Sequence, residues 1–124
     1  MALLGIGVDV VDIKRVEGAY RRFGDRMLNR FFTEGERVRS FSRARPMEHL
    51  AVCLATKEAF FKACRGVCKL RWREIELGGD NYDLPVVVLH GSAKNIAEKS
   101  GIKNIFVSIT HEGGIGVSVV VLEG

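Results

Sequence analysis

Four side chains have the types and settings for chemistry: Asp9, Glu58, Lys62 and His111. Asp9 interrupts the apolar run LLGIGVDVV, where a carboxylate is costly to bury unless it is paired or holds a cation. Glu58 and Lys62 are four residues apart, which places them side by side on a helix. Two readings stay open for them. One is a solvated ion pair. The other joins Glu58 to Asp9 as two carboxylate ligands of magnesium, with waters and substrate phosphates completing the shell. No His/Cys spacing argues for zinc. His111 follows VSIT and precedes glycines, so it is either a satisfied structural residue or a donor to a phosphate. His49 and His90 read as structural.

These residues need a strand and a long helix to bring them together. Residues 3–11 read as a buried strand, with Leu4, Ile6, Val8 and Val10 on one face and Gly5, Gly7 and Asp9 on the other. Two glycines beside an acid suit close approach by a ligand or another backbone. Asp12 caps a helix over 13–24 whose apolar stripe is Ile13, Val16, Tyr20 and Phe23. Thr33 and Glu36 form a capping box for a helix over 34–41. Pro46 opens the central helix, 46–64, in which Ala51, Ala55, Ala59 and Ala63 recur every four residues. Strands follow at 73–77 and 85–90, separated by the turn-like GGDNYDLP. Ser92 is read as the cap of a short helix ending near Gly101. A hairpin over 104–111 and 115–122 turns at Glu112-Gly113-Gly114. The order is an α+β pattern in one domain, 1–124.

The chain has 124 residues, a net charge of +4 and a pI near 9.2. That excess favours an acidic partner without indicating nucleic acid, for which no motif is present. Cys53, Cys64 and Cys68 form no CxxC pair, which fits packed thiols in a reducing cytoplasm. The apolar start lacks a basic leader and is too short to span a membrane. GIGVDV lacks the third glycine of a dinucleotide fingerprint, and no Walker loop is present. The basic first helix is either an ordinary solvated face or a docking face.

Together the residues resemble the holo-[acyl-carrier-protein] synthase family of 4′-phosphopantetheinyl transferases. GIGVDVVDIKRVE at 5–17 resembles its opening signature, LATKEAFFKA at 54–63 its central helix, and VSITHEGGIGVSVVVLE at 107–123 its closing hairpin. The resemblance implies an antiparallel sheet packed on a long helix, in a homotrimer with sites between subunits. It implies transfer of phosphopantetheine from coenzyme A to a serine of an acidic apo acyl carrier protein in fatty-acid biosynthesis, releasing adenosine 3′,5′-bisphosphate.

It also implies roles for individual residues. Asp9 and Glu58 become Mg2+ ligands. Glu58, directly or through a metal-bound water, takes the serine proton, and Lys62 serves the leaving phosphate. His111 and Lys62 contact coenzyme A, while Arg15, Arg21 and Arg22 dock the carrier protein. Lys57 matches the family's Lys-Glu pair.

The chain departs from the family's pattern at Cys53, at Arg65-Gly66-Val67 where a glycine-rich loop is usual, and at the turn Tyr82-Asp83-Leu84-Pro85. These departures touch the coenzyme A side, and the altered loop motivates one alternative, a non-catalytic carrier-binding module; the basic charge leaves a second, a basic RNA-associated domain. Calorimetry with coenzyme A separates the first, and salt-sensitive RNA binding would be needed for the second.

Overall fold

Long-range packing starts at the N-terminal strand, where glycine lets a helix lie against bare backbone. The computed structural model describes residues 1–79 and 84–124. Strand β1 (Leu3–Asp12) pairs antiparallel with β5 (Ile115–Glu123), and β5 pairs with β4 (Asn104–Glu112), giving a three-stranded sheet in the order β1-β5-β4. Helix α4 (Pro46–Ala63) crosses one face of this sheet. A Cβ built on Gly5 would lie 1.9 Å from the Ala63 carbonyl oxygen, and one on Gly7 would lie 1.9 Å from that of Ala59. The alanine stripe and the two glycines are therefore two halves of one contact. Ala51, Ala55, Ala59 and Ala63 are all buried.

The close approach that Gly5 and Gly7 suit is made by the backbone of α4. The glycine face turns inward, and Ile6, Val8 and Val10 are 63%, 52% and 55% exposed. Apolar alternation identifies two faces but does not say which one a helix will cover. Here the small face wins because only it lets the helix backbone come so near. A bulge between Leu3 and Gly5 separates Leu4 from the exposed set and packs it on the core.

Helix α1 (Ile13–Phe23) starts at Asp12, whose carboxylate accepts from the Lys14 amide at 2.9 Å. Ile13 and Val16 are buried, but Phe23 is exposed beneath the guanidinium groups of Arg22 and Arg26, at 5.1 and 5.9 Å. A further helix, α2 (Asp25–Phe31), was not foreseen; its seven residues are too few to carry a clear period. Helix α3 (Glu34–Phe41) has both bonds of the capping box.

A 3-10 turn at Trp72–Glu74 occupies the start of the strand expected over 73–77, so β2 spans only Ile75–Gly78. It pairs antiparallel with β3 (Val86–Leu89). Residues 80–83 of the intervening turn, including Tyr82 and Asp83 of the departure noted above, lie outside the described residues.

Ser92 does not cap α5 (Gly91–Lys99); His90 occupies that position. The Ser92 hydroxyl instead donates to Glu74 Oε1 at 2.6 Å, and the same oxygen accepts from the Ala93 amide at 2.8 Å. A carboxylate from the 3-10 turn thus satisfies this helix end, a substitution that no local pattern reveals. The β4–β5 hairpin turns on Gly113 and Gly114, both at positive φ (60° and 84°), and Glu112 belongs to the strand.

Two buried clusters form along α4. One gathers Ile13, Val16, Leu28, Phe32, Leu50 and Val52, and the other Phe60, Ile75, Val120 and Leu122. Among the described residues no helix is long and apolar enough to cross a membrane.

Candidate active site

β1 and α4 bring Asp9, Glu58 and Lys62 together. Asp9 projects from the inward face of β1, two residues past Gly7, and its side chain is 12% exposed. Lys62 Nζ donates to Asp9 Oδ1 at 3.0 Å and to the Val8 carbonyl at 3.1 Å. The ion pair of Lys62 therefore crosses between elements to Asp9, and the local Glu58–Lys62 reading gives way. The other oxygen, Asp9 Oδ2, is buried with no hydrogen-bond partner.

Glu58 lies beside Asp9. Its carboxyl is pushed up from 4.5 to about 7, first by a hydrogen bond with Asp9, then by burial and by Asp9's negative charge; Lys62 and Arg15 oppose this. Two carboxyls in one place share a proton because both cannot ionise cheaply. A divalent cation would replace that proton and satisfy Asp9 Oδ2. The donor set fits one. Two carboxylates suit magnesium, which keeps waters and substrate oxygens. Among the described residues no group of three or more His, Cys, Asp or Glu gathers into an all-protein cage.

This pair predicts a pH dependence. Folded Glu58 keeps its proton up to about 7, whereas an ordinary carboxyl releases it near 4.5. The folded state binds more protons across that interval, so this contribution to stability is full below it and declines as pH rises through it. Without divalent ions the melting temperature should fall across the window, and magnesium should restore it at the upper end. Glu58→Gln should flatten the decline in calorimetric melts; an unchanged slope would assign it elsewhere.

Arg15 shares with Glu58 a cavity of about 310 Å3, walled by Val10, Leu54, Phe31 and Trp72. Arg21 and Arg22 are exposed in the last turn of α1. His111 is not brought to the carboxylates. It sits at the far end of β4, with Nδ1 3.4 Å from Glu48 Oε2. It lines a second cavity, of about 520 Å3, with Arg43, Arg45 and Glu48. β5 lies between β1 and β4, so two strand spacings, roughly 10 Å, separate the two centres across the sheet.

Arg43, Arg45 and Glu48 were not singled out in the sequence. The run Arg43-Ala44-Arg45 just before the helix-opening proline was the available signal.

The remaining candidates resolve plainly. Cys53 is fully buried, with Sγ 3.7 Å from His49 Nδ1, so it faces the interior. His49 also meets Ser40 Oγ at 2.7 Å, and burial and nearby arginines lower its pKa to about 4. His90 Nε2 meets Glu76 Oε1 at 2.8 Å. Cys64 and Cys68 are buried, and burial raises the Cys64 thiol's pKa. Arg65 has φ 54° and lines a separate groove with Cys64, Val67 and Ile102.

Lys57 is the unexpected feature. It is fully buried, and its ammonium donates to Glu36 Oε1 at 2.7 Å, to the Trp72 carbonyl at 2.6 Å and to the Ile75 carbonyl. Glu36 also accepts from the amides of Thr33 and Leu77.

A family model described as the 4′-phosphopantetheinyl transferase superfamily matches residues 5–117. The holo-[acyl-carrier-protein] synthase of Solibacter usitatus is 36% identical over 123 residues, covering 98% of each chain. That of Desulforudis audaxviator is 39% identical, covering 98% of this chain and 94% of its own. Among solved structures, the Neisseria meningitidis holo-[acyl-carrier-protein] synthase superposes with a TM-score of 0.90 at 28% identity, covering 99% of this chain and 100% of that one. The Helicobacter pylori enzyme, solved in complex with coenzyme A, gives 0.82 at 28% identity, covering 95% and 99%.

Proposed function

The chain belongs to the 4′-phosphopantetheinyl transferase superfamily, and from that premise we propose that it moves phosphopantetheine from coenzyme A to a serine of an apo acyl carrier protein serving fatty-acid synthesis. The relatives' names and the coenzyme A complexes support the reaction. The observation that carries the site is the cluster of Asp9, Glu58 and Lys62, with Asp9 Oδ2 buried beside Glu58.

In the transfer, the serine oxygen bonds to the phosphorus bearing the pantetheine. The P–O bond to the adenosine-side phosphate breaks, and adenosine 3′,5′-bisphosphate leaves with that electron pair. Asp9 and Glu58 would hold Mg2+, which when bound neutralises charge on the diphosphate. Glu58 would accept the serine proton as general base. Lys62, half exposed and anchored to Asp9 and Val8, turns its ammonium to the charge building on the leaving phosphate. Arg15, Arg21 and Arg22 steer the acidic carrier to the mouth beside Glu58.

We read the assembly as a homotrimer and the chain as one domain, 1–124, acting in the cytoplasm, where its buried thiols stay reduced. Two features support the trimer. Ile6, Val121 and Phe106 are in register across the sheet, and the outer face they share with Val8 and Val10 is apolar and open. His111 and the carboxylates also stand apart in one copy, which suits a site that draws on two copies. Ile6→Glu should yield monomers by light scattering and lose most activity while keeping its circular dichroism. A trimeric, active Ile6→Glu protein would place that face outside the assembly.

The test of the reaction is intact mass. Purified chain, coenzyme A, magnesium and the apo carrier protein of its own organism should give a carrier heavier by one phosphopantetheine. No gain, with the protein folded, sinks the reading.

A further inference from the structure

The geometry points to Lys57 as a positioning residue that holds Trp72 as a wall of the cavity beside Glu58, where the pantetheine arm lies. This rests on the transferase reading and adds to it the residue that shapes the arm's binding site.

A fully buried lysine is seldom retained for stability alone, because a buried ion pair is commonly matched or exceeded by apolar residues of similar size. What this one does is join elements. From α4 its ammonium reaches Glu36 on α3 and the carbonyls of Trp72, the first residue of the 3-10 turn, and Ile75, the first of β2. The same ammonium fixes the backbone at Trp72. The indole then meets Phe31 edge-on, with ring centroids 5.1 Å apart and planes at 80°. Phe31 and Trp72 line the cavity that also receives Glu58 and Arg15.

That cavity has an apolar wall and a charged end. Its volume of about 310 Å3 falls at the small end of ligand pockets. A flexible amide chain attached to a phosphate matches this division: the phosphate meets the charged end and the chain lies along the aromatic wall. The proposal places the bisphosphorylated adenosine of coenzyme A outside this cavity.

The experiment exploits that difference. Binding of coenzyme A and of adenosine 3′,5′-bisphosphate is measured by calorimetry with magnesium, on the full-length chain. Trp72 is the only tryptophan, so its emission reports the wall directly. Lys57→Met should weaken coenzyme A by about tenfold or more, leave the bisphosphate within about twofold, and shift Trp72 emission to the red. Trp72→Leu, which leaves the Lys57 bonds in place, should show the same split between ligands.

Equal weakening of both ligands, or no weakening of either, overturns the proposal. If Lys57→Met fails to fold because Glu36 is stranded as a buried charge, Lys57→Met/Glu36→Leu carries the same test. Failure of that double variant to fold would assign the pair to stability alone and overturn the positioning role. A wild-type chain that binds no coenzyme A would instead defeat the transferase reading, before any variant is made.

Discussion

Asp9→Asn and Glu58→Gln are each expected to lower turnover by about 10³-fold, the scale lost when a group that stabilises developing charge is removed from a preorganised site. Both changes keep side-chain shape and remove charge where two carboxylates meet. Neither should harm the fold. An amide in place of the Asp9 carboxylate keeps an oxygen to accept from Lys62, and Glu58 holds its proton to about 7 because two acids crowd each other. The variants should therefore melt at or slightly above the wild-type temperature without magnesium. They should also lose the rise that magnesium produces in the wild type. Initial rates by carrier mass and melting curves with and without magnesium check both halves. A variant within tenfold of wild-type rate would remove its residue from the metal pair. A variant that keeps the magnesium-dependent rise would do so independently of activity.

The largest effect on stability is expected at Gly7. An alanine there would set its Cβ 1.9 Å from the Ala59 carbonyl oxygen and 2.8 Å from the Ala63 amide nitrogen. Both atoms are backbone of α4, so no side-chain rotation relieves the clash; the helix must move off the sheet. The change should exceed about 4 kcal/mol, a large part of the roughly 5–15 kcal/mol that holds such a domain together. Soluble Gly7→Ala protein should be scarce, and what is recovered should unfold at much lower urea. Gly18 supplies the control. It lies inside α1 with nothing within 4 Å of its would-be Cβ, so Gly18→Ala should stabilise by about 1 kcal/mol. If the two variants unfold at similar urea concentrations, the close contact of β1 with α4 is not what the structure describes.

The two predictions differ in how they can be reached. Asp9 stands out in the sequence because a carboxylate in an apolar run needs a partner, and Glu58 because it neighbours Lys62 on a helix. Gly5 and Gly7 announce a close approach but not what approaches. The partner, α4, lies some fifty residues away, and its alanine stripe reads equally well as a contact with any small surface.

Residue type and short-range spacing thus determined a good deal: the α+β order, the caps at Asp12 and Thr33, the glycine hairpin, and the candidacy of Asp9, Glu58 and Lys62. All of these follow from forces acting over a few residues along the chain. Tertiary structure decided the rest. It chose which face of β1 turns inward, sent Lys62 to Asp9 instead of Glu58, gave the α5 cap to Glu74, and buried Lys57 on Glu36, twenty-one residues away. It also set His111 across the sheet from the carboxylates. Each of these is a choice of partner between distant segments. Local periodicity offers several such partners of similar worth, and packing of the whole chain selects one.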